Sequence, residues 1–474
     1  MNLRTFLLFL LLPIISSCLT RQQNPPPPQL DALPQQFSAP PGSIDLSTEW
    51  WKDLDSKELN TLMSEAVNKN FSLREAYARM SQAHFAALKA GSAQWPALSA
   101  SSGAGHTDRR SDNNQTLGSD NWTLALSASY EIDLWGRVQA EITSEDLLAN
   151  ASAEDTKAAL LSVSGQVAEN WITLISTRQQ QQLFQQQLEL QRELLQLILL
   201  RFPLAKATAL DIYQQQQAIE KLEAALIPLT SKEKTIKRQL AFLLGKARLD
   251  NEQLQADQFP ALPEIPGVGL PADLLDQRPD ILAAGMRLAA GQHDITVAKA
   301  DLLPTLKLTA SHTYSSDGLS SLFDNWLRNL AANMVAPLLD GKRRRNEVER
   351  VRVIAEERLA AYGRVVFTAI REVEDALADE LQYHTSIASL NRQQELSDRT
   401  IREARTRYLN GGTGFLNVLK EELNVLQVKQ DLITSEEKMM LARIRLHKAL
   451  GGSWMSHYLK KTNQVSRSLS SLRL

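Results

Sequence analysis

The sequence predicts a mainly α-helical protein that combines two tandem repeats of long coiled-coil helices with four membrane β-strands per chain. Three observations predict this fold class. Residues 138–201 and 342–410 each contain a single glycine and no proline. Short motifs recur at an offset of about 206 residues. Two pairs of segments alternate between apolar and polar side chains with the period of two that a β-strand has.

Composition excludes several function classes. The chain has 54 acidic and 52 basic side chains, a balance that argues against a nucleic-acid partner. The only cysteine, Cys18, permits neither an internal disulfide framework nor a cysteine-rich metal site. The seven histidines are scattered, and no nucleotide-binding loop or nucleophile elbow is present. We therefore expect no enzyme activity, no cofactor and no metal.

The N-terminus resembles a lipoprotein signal. A basic start precedes the apolar residues 5–15, and Ser16, Ser17 and Cys18 follow. The apolar run is shorter than the about 20 residues that a transmembrane helix needs. We expect a signal peptide over residues 1–17, a lipid on Cys18 and a proline-containing tether over 18–50. The alternative is that Cys18 is a small residue beside an ordinary cleavage site.

The internal repeat rests on four matches in the same order. They pair Pro96 with Pro304, Gly136 with Gly341, Arg201-Phe202 with Arg407-Tyr408, and Leu244-Gly245 with Leu450-Gly451. We expect a first repeat over 51–258, a connector over 259–271, a second repeat over 272–454 and a tail over 455–474.

Each repeat is predicted to hold a leading, a long and a returning helix. A long helix of about 60 residues rises about 90 Å and needs lateral partners, which indicates antiparallel coiled coils. The predicted leading helices are 57–90 and 272–300, the long helices are 138–201 and 342–410, and the returning helices are 209–244 and 415–450.

Two hairpins are predicted between the leading and the long helices. The first pairs residues 98–107 with 122–131, and the second pairs 305–314 with 328–339. An ordinary half-buried sheet would show the same alternation, but the signal peptide favours membrane strands. Because four strands cannot close a barrel and open edges are unsatisfied in lipid, membrane strands in this number require several chains.

Four segments resemble a known family. They are residues 130–137, which include Asp-Leu-Trp-Gly-Arg; residues 276–281, which include Arg-Pro-Asp-Ile; Arg407-Tyr408 with Gly411; and residues 449–454. They resemble outer-membrane efflux factors of the TolC/OprM type, and Cys18 points to the NodT-like lipoprotein branch. The resemblance covers residues 50–454.

The resemblance implies a trimer with a twelve-stranded β-barrel in the bacterial outer membrane, continued through the periplasm by an α-barrel of packed helices. Such channels export drugs or other small molecules together with a periplasmic adaptor and an inner-membrane pump, here expected to be proton-driven. Outer-membrane lipid is the other expected partner. The basic run 342–345 is expected either to lie near lipid headgroups at the periplasmic face or to be simply solvated. A channel for type I protein secretion and a non-channel periplasmic coiled-coil scaffold remain alternatives.

The resemblance also implies a gate and docking tips. The periplasmic gate is expected at Asp211, Tyr408, Asn417 and Lys420, and the adaptor-docking tips at Arg201, Phe202, Leu204, Arg407 and Gly411. Asn417 and Lys420 stand where the family often has carboxylates, and Lys420 is a candidate replacement cation. Tyr408 is expected to hydrogen-bond Asp211 from the neighbouring hairpin. The alternative for Asp211 is a favourable charge at a helix N-terminus.

Overall fold

Two helices of exceptional length dominate the structure. The computed structural model describes residues 34, 36–38, 49–110, 116–249, 254–263, 265, 267–452, 454–456 and 458, with only the backbone at 116 and 117. The predicted lipid site Cys18 lies outside these residues. The helices are α1 Lys57–Lys69, α2 Phe71–Gly91, α3 Arg137–Arg201, α4 Ala209–Leu243, α5 Leu274–Gln277, α6 Pro279–Ala300, α7 Arg343–Leu409 and α8 Phe415–Leu450. Short 3-10 turns are Trp50–Leu54, Ser92–Gln94, Phe202–Leu204, Pro271–Asp273 and Leu319–Ser321.

The long helices have the expected partners. Helix α3 has 65 residues and packs along α4, and α7 has 67 residues and packs along α8. Helix α2 packs on α3, while α6 lies against both α3 and α7 and so joins the two repeats. Across the described part of the chain, no helix combines the length and the apolar character that a membrane span needs.

Each predicted leading helix is divided in two. Asn70 separates α1 from α2, because its side-chain oxygen accepts the amide hydrogen of Leu73 at 3.0 Å and so caps α2. Its side-chain nitrogen donates to the carbonyl of Leu243, which ties this break to the end of α4. Arg278 separates α5 from α6, since the residue before Pro279 is excluded from helical geometry.

The largest hydrophobic core lies where α1, α3, α4 and α8 meet. Leu59, Met63, Leu160 and Leu240 are fully buried there, and each contributes about 1.5–3 kcal/mol by leaving water. The indole nitrogen of Trp171 donates to the Glu58 carboxylate at 2.7 Å, so its one polar atom is satisfied inside this core.

Four strands form one antiparallel sheet in the order β1-β2-β3-β4. They are β1 Ala97–Arg110, β2 Thr116–Ile132, β3 Thr305–Ser316 and β4 Trp326–Val335. Both predicted hairpins are confirmed, and β2 pairs with β3 to join them. The prediction that the last strand reaches residue 339 is wrong. It ends at Val335, and Pro337 beyond it has no amide hydrogen to donate to a ladder.

Candidate functional site: an amphipathic sheet and two helical tips

The sheet has two chemically different faces. Strand register places Leu98, Leu126, Leu308 and Leu330 on one face, and Leu330 is 83% exposed. Further members of this apolar face are Ala100, Trp122, Leu124, Tyr130, Leu306 and Met334. The opposite, mainly polar face carries Ser99, Ser101, Thr123, Ser127, Ser129, Thr309, Ser311, Thr313, Asn329 and Asn333, together with the apolar residues Ala125, Leu327, Ala331 and Val335. An exposed apolar face backed by small polar residues is the pattern of a membrane strand.

Both outer strands of this sheet are open edges. Within the described residues, β1 pairs only with β2, and β4 pairs only with β3. Unpaired backbone amides are not tolerated in lipid, so a single chain of this shape cannot sit in a membrane. The two edges therefore need strands from other chains.

The two helical tips at the far ends of α3/α4 and α7/α8 form one cluster. Its buried members are Ile198, Ala218, Ile401, Tyr408, Phe415, Val418, Leu419 and Val425. The rings of Tyr408 and Phe415 meet edge to face with centroids 5.6 Å apart. The Arg201 guanidinium lies over the Tyr408 ring, 4.8 Å from its centroid. The fold thus brings predicted gate and docking residues of both repeats together.

The Tyr408 hydroxyl lies at the centre of this contact. It is buried and has no hydrogen-bond partner of good geometry among the described residues. Arg201 Nε is also buried and also lacks such a partner. Burial raises the pKa of Tyr408; the positive charge of Arg201 opposes that shift, and the negative charge of Asp211 adds to it. Tyr408 therefore stays protonated and keeps a hydrogen to donate.

Asp211 performs a local role within the chain. Its carboxylate accepts the amide hydrogen of Thr208 at 2.8 Å, and its own amide donates to the Thr208 hydroxyl at 3.2 Å. This reciprocal pair is a capping box that starts α4, with the carboxylate at the positive end of the helix dipole. Asp211 makes no hydrogen bond to Tyr408 inside one chain, so the expected bond stays a prediction for the assembly.

The other predicted gate residues lie on the surface of α8. Asn417 donates from its side-chain nitrogen to the Thr413 hydroxyl at 2.6 Å. Lys420 is exposed and forms no ion pair with any residue that the structure describes. Neither residue is hydrogen-bonded to Asp211, and the role of Lys420 as a replacement cation stays a prediction.

The predicted docking residues lie on two similar turns. Phe202 and Leu204 are 46% and 65% exposed, so both apolar side chains are open to solvent in the single chain. Arg407 is paired with Glu403 on the preceding helical turn. Ala205 has a φ of 55°, and Gly411 has a φ of 75°. Both tips thus contain a residue with left-handed backbone geometry, which is an alanine at the first tip and a glycine at the second.

A buried ion pair near the tips escaped the sequence analysis. The Glu422 carboxylate on α8 accepts from Arg405 Nε on α7 at 2.7 Å and from Gln187 Nε2 on α3 at 3.4 Å. It therefore links both long helices to the second returning helix. Its signal in the sequence is weak, because a Glu on a long charged helix is usually solvated.

The family-like motifs have structural roles. Arg278 is buried and donates to the carbonyl of Ala449 at 2.8 Å and to the Asp280 carboxylate at 2.7 Å. It thereby fastens the start of the second repeat to the end of α8. The Trp135 indole donates to the carbonyl of Pro304 at 2.7 Å and joins the bases of the two hairpins. No group of residues that could hold a metal ion occurs in the described residues.

Comparison with known proteins gives a consistent result. The sequence model of the outer membrane efflux protein family matches residues 62–246 and 270–452. The chain is 32% identical to the pyoverdine export outer membrane protein OpmQ of Pseudomonas aeruginosa, over 86% of this chain and 88% of that protein. It is 24% identical to the probable outer membrane lipoprotein SilC of Salmonella typhimurium, over 93% and 97%.

Solved structures share the fold. The outer-membrane channel OprN superposes with a TM-score of 0.82 at 25% identity, over 90% of this chain and 98% of that one. The CmeC channel of Campylobacter jejuni gives 0.82 at 22% identity, over 91% and 94%. The chain therefore belongs to the outer membrane efflux protein family, whose members are outer-membrane channels in which an α-barrel continues a β-barrel.

Proposed function

We propose that this efflux channel works as a homotrimer that receives small molecules from a periplasmic adaptor and an inner-membrane pump and releases them outside the cell. The observation that carries the proposal is the open four-stranded sheet with one apolar and one polar face. Three such sheets joined edge to edge give twelve strands, enough for a barrel with a water-filled interior. Small molecules as cargo agree with the relative OpmQ, which is named for pyoverdine export.

The helical tips are proposed as the adaptor-docking end. Their turns expose apolar side chains around Phe202 and Leu204, a feature typical of a binding surface for another protein. Arg201, Arg407 and Gly411 complete this proposed surface. Cys18 is proposed as the lipid attachment site, in line with the relative SilC, which is named a probable outer membrane lipoprotein.

The same tips are proposed to close the channel on the periplasmic side. Tyr408 carries a buried hydroxyl that makes no hydrogen bond of good geometry with the described residues, and the negative charge of Asp211 on the adjoining tip acts on it. A movement of the tips on assembly that brings the two groups into contact would let the hydroxyl donate to this carboxylate. Threefold symmetry would bring three Asp211 carboxylates toward the axis, where their mutual repulsion needs such donors. Asn417 and Lys420 are proposed to border this constriction.

Planar-bilayer recording tests the proposal. The double variant Asp211→Ala/Tyr408→Phe should conduct more than wild type, because both sides of the closing contact are gone. The matched control is Glu220→Ala, which removes an exposed carboxylate from the same helix away from the tip. An intact trimer with unchanged conductance in the double variant would exclude Asp211 and Tyr408 from the gate. A purified chain that is monomeric and forms no channel would contradict the proposed assembly itself.

A further inference from the structure

The free edge of β1 carries an acidic group on the apolar face. His106 Nδ1 lies 2.6 Å from Asp120 Oδ1, and His106 Nε2 lies 3.2 Å from Asp108 Oδ1. Asp108 and Asp120 are 63% and 59% exposed. Gly118 makes room for the group, since a Cβ there would lie 3.2 Å from both Asp108 and His106. One imidazole is thus shared between two carboxylates, and the group faces outward.

The free edge of β4 carries a cation on the same face. Arg328 donates from Nε to His312 Nδ1 at 3.3 Å, and its guanidinium lies 4.8 Å from the centroid of the Trp326 ring. Its terminal nitrogens form no ion pair within the described part of the chain. At the end of the sheet distant from the helices, the chain therefore presents the Arg328 cation at one open edge. At the other edge it presents the Asp108 carboxylate, with Asp120 on the adjoining strand β2 and Arg110 two residues beyond Asp108 on the same face.

Barrel geometry limits how these edges can meet. A row of paired residues crosses the sheet from Ala100 through Leu126 and His312 to Arg328. When such a row is followed once around a closed barrel, it comes back to the first strand at a different residue. The number of residues between the two positions must be even, because successive side chains on a strand point to opposite faces. Threefold symmetry divides this displacement equally among three junctions, so each junction shifts the row by an even number of residues.

Strand tilt narrows the shift further. With a rise of about 3.3 Å per residue and about 4.8 Å between strands, junction shifts of about 4 and 6 residues give tilts of roughly 35° and 46° in a twelve-stranded barrel. These are the two ends of the usual range. Shifts in the opposite direction would place β4 beside α2 instead of β1, because β1 begins at Ala97. Only a shift toward higher residue numbers on β1 pairs β4 with β1.

Charge decides between the two shifts. A shift of four residues puts Arg328 opposite Ala104 and leaves Asp108 out of reach. A shift of six puts Arg328 opposite His106 of the next copy and diagonal to Asp108, at the about 7 Å that a long side chain spans. We propose that Arg328 of one copy pairs with Asp108 of the next across the β4–β1 junction and so fixes the register in which the barrel closes. This inference rests on the proposed trimer and specifies how its chains recognise one another.

Cysteine crosslinking tests the register. In the six-residue register Leu330 lies opposite Ala104 of the next copy, so Leu330→Cys/Ala104→Cys should give disulfide-linked trimers on mild oxidation, because a direct disulfide needs Cβ atoms about 3.5–4.5 Å apart and a diagonal pair is too far apart. Leu330→Cys/Ser102→Cys reports the four-residue register and should crosslink poorly. Leu330→Cys/Leu98→Cys is the negative control, since those positions would lie about 20 Å apart. Preferred crosslinking at Ser102 would overturn the inference while leaving the trimer established.

Charge exchange tests the ion pair. Arg328→Glu and Asp108→Arg should each lower the temperature at which the detergent-resistant trimer dissociates, and the combined variant should regain most of the loss. Asn329→Glu is the control, because it also places a glutamate on β4, one residue away and on the polar face, and should change the temperature little. A combined variant no better than the worse single variant would refute the pair. If wild type itself were monomeric and no cysteine pair crosslinked, the proposed function would fail before this inference was reached.

Discussion

The ion pair of the partly exposed Arg405 with the buried Glu422 should respond unequally to loss of its two members. The Glu422 side chain is 3% exposed, whereas that of Arg405 is 37% exposed. Arg405→Met leaves a buried carboxylate without its cation and with only the 3.4 Å bond from Gln187, and such a loss costs about 3–5 kcal/mol. Glu422→Gln leaves a cation that can turn toward solvent and an amide oxygen that still accepts, so we expect about 1–2 kcal/mol. The two variants differ in cost because the residue that remains is buried in one case and can reach water in the other.

Chemical unfolding of the detergent-solubilised protein, followed by helical circular dichroism, checks this prediction. The urea midpoint should fall most for Arg405→Met, less for Glu422→Gln, and should recover in the double variant because no charge is then stranded. The matched control is Arg399→Met, which removes an exposed partner of Glu395 on the same helix and should cost little. Equal losses in the two single variants, or a larger loss in Glu422→Gln, would refute the reasoning.

Three further predictions concern other parts of the chain. Ala205→Gly should raise the free energy of unfolding by about 1 kcal/mol by relieving a left-handed alanine, and Gly411→Ala should lower it similarly; the same unfolding assay measures both. Burial against Trp50 lowers the pKa of His447 to about 4 in the folded protein, compared with about 6.5 in the unfolded chain. Between these two pH values His447 is protonated only in the unfolded chain, so a falling pH favours unfolding. Acidification from pH 7 to 5 should therefore destabilise wild type by about 2 kcal/mol more than His447→Phe, as unfolding curves at both pH values would show. Cys18→Ala should abolish incorporation of radiolabelled palmitate; equal labelling of both proteins would contradict lipidation at this residue.

Long-range periodicity made most of the fold predictable. The stretch 342–410 has no proline and one glycine and is far longer than a β-strand, which favours a long helix. The alternation of apolar with small or polar side chains along 122–131 likewise predicts a β-strand. The break at Arg278 was missed although its signal, the following Pro279, is local. The break at Asn70 combines a local cap on Leu73 with a hydrogen bond to the distant carbonyl of Leu243, and only the first of these contacts can be read from the sequence.

The candidate site was less predictable. The sequence alone, through its repeat, determined that the tips at Phe202 and Tyr408 are equivalent, and the count of four strands determined that one chain cannot form the membrane part. Only the tertiary structure placed Arg201 over Tyr408, buried Glu422 and showed that Asp211 caps its own helix. The physical reason is that periodicity fixes which face of an element a side chain occupies. Burial and partners, by contrast, depend on the rotation and position of the neighbouring helix, which no local pattern encodes.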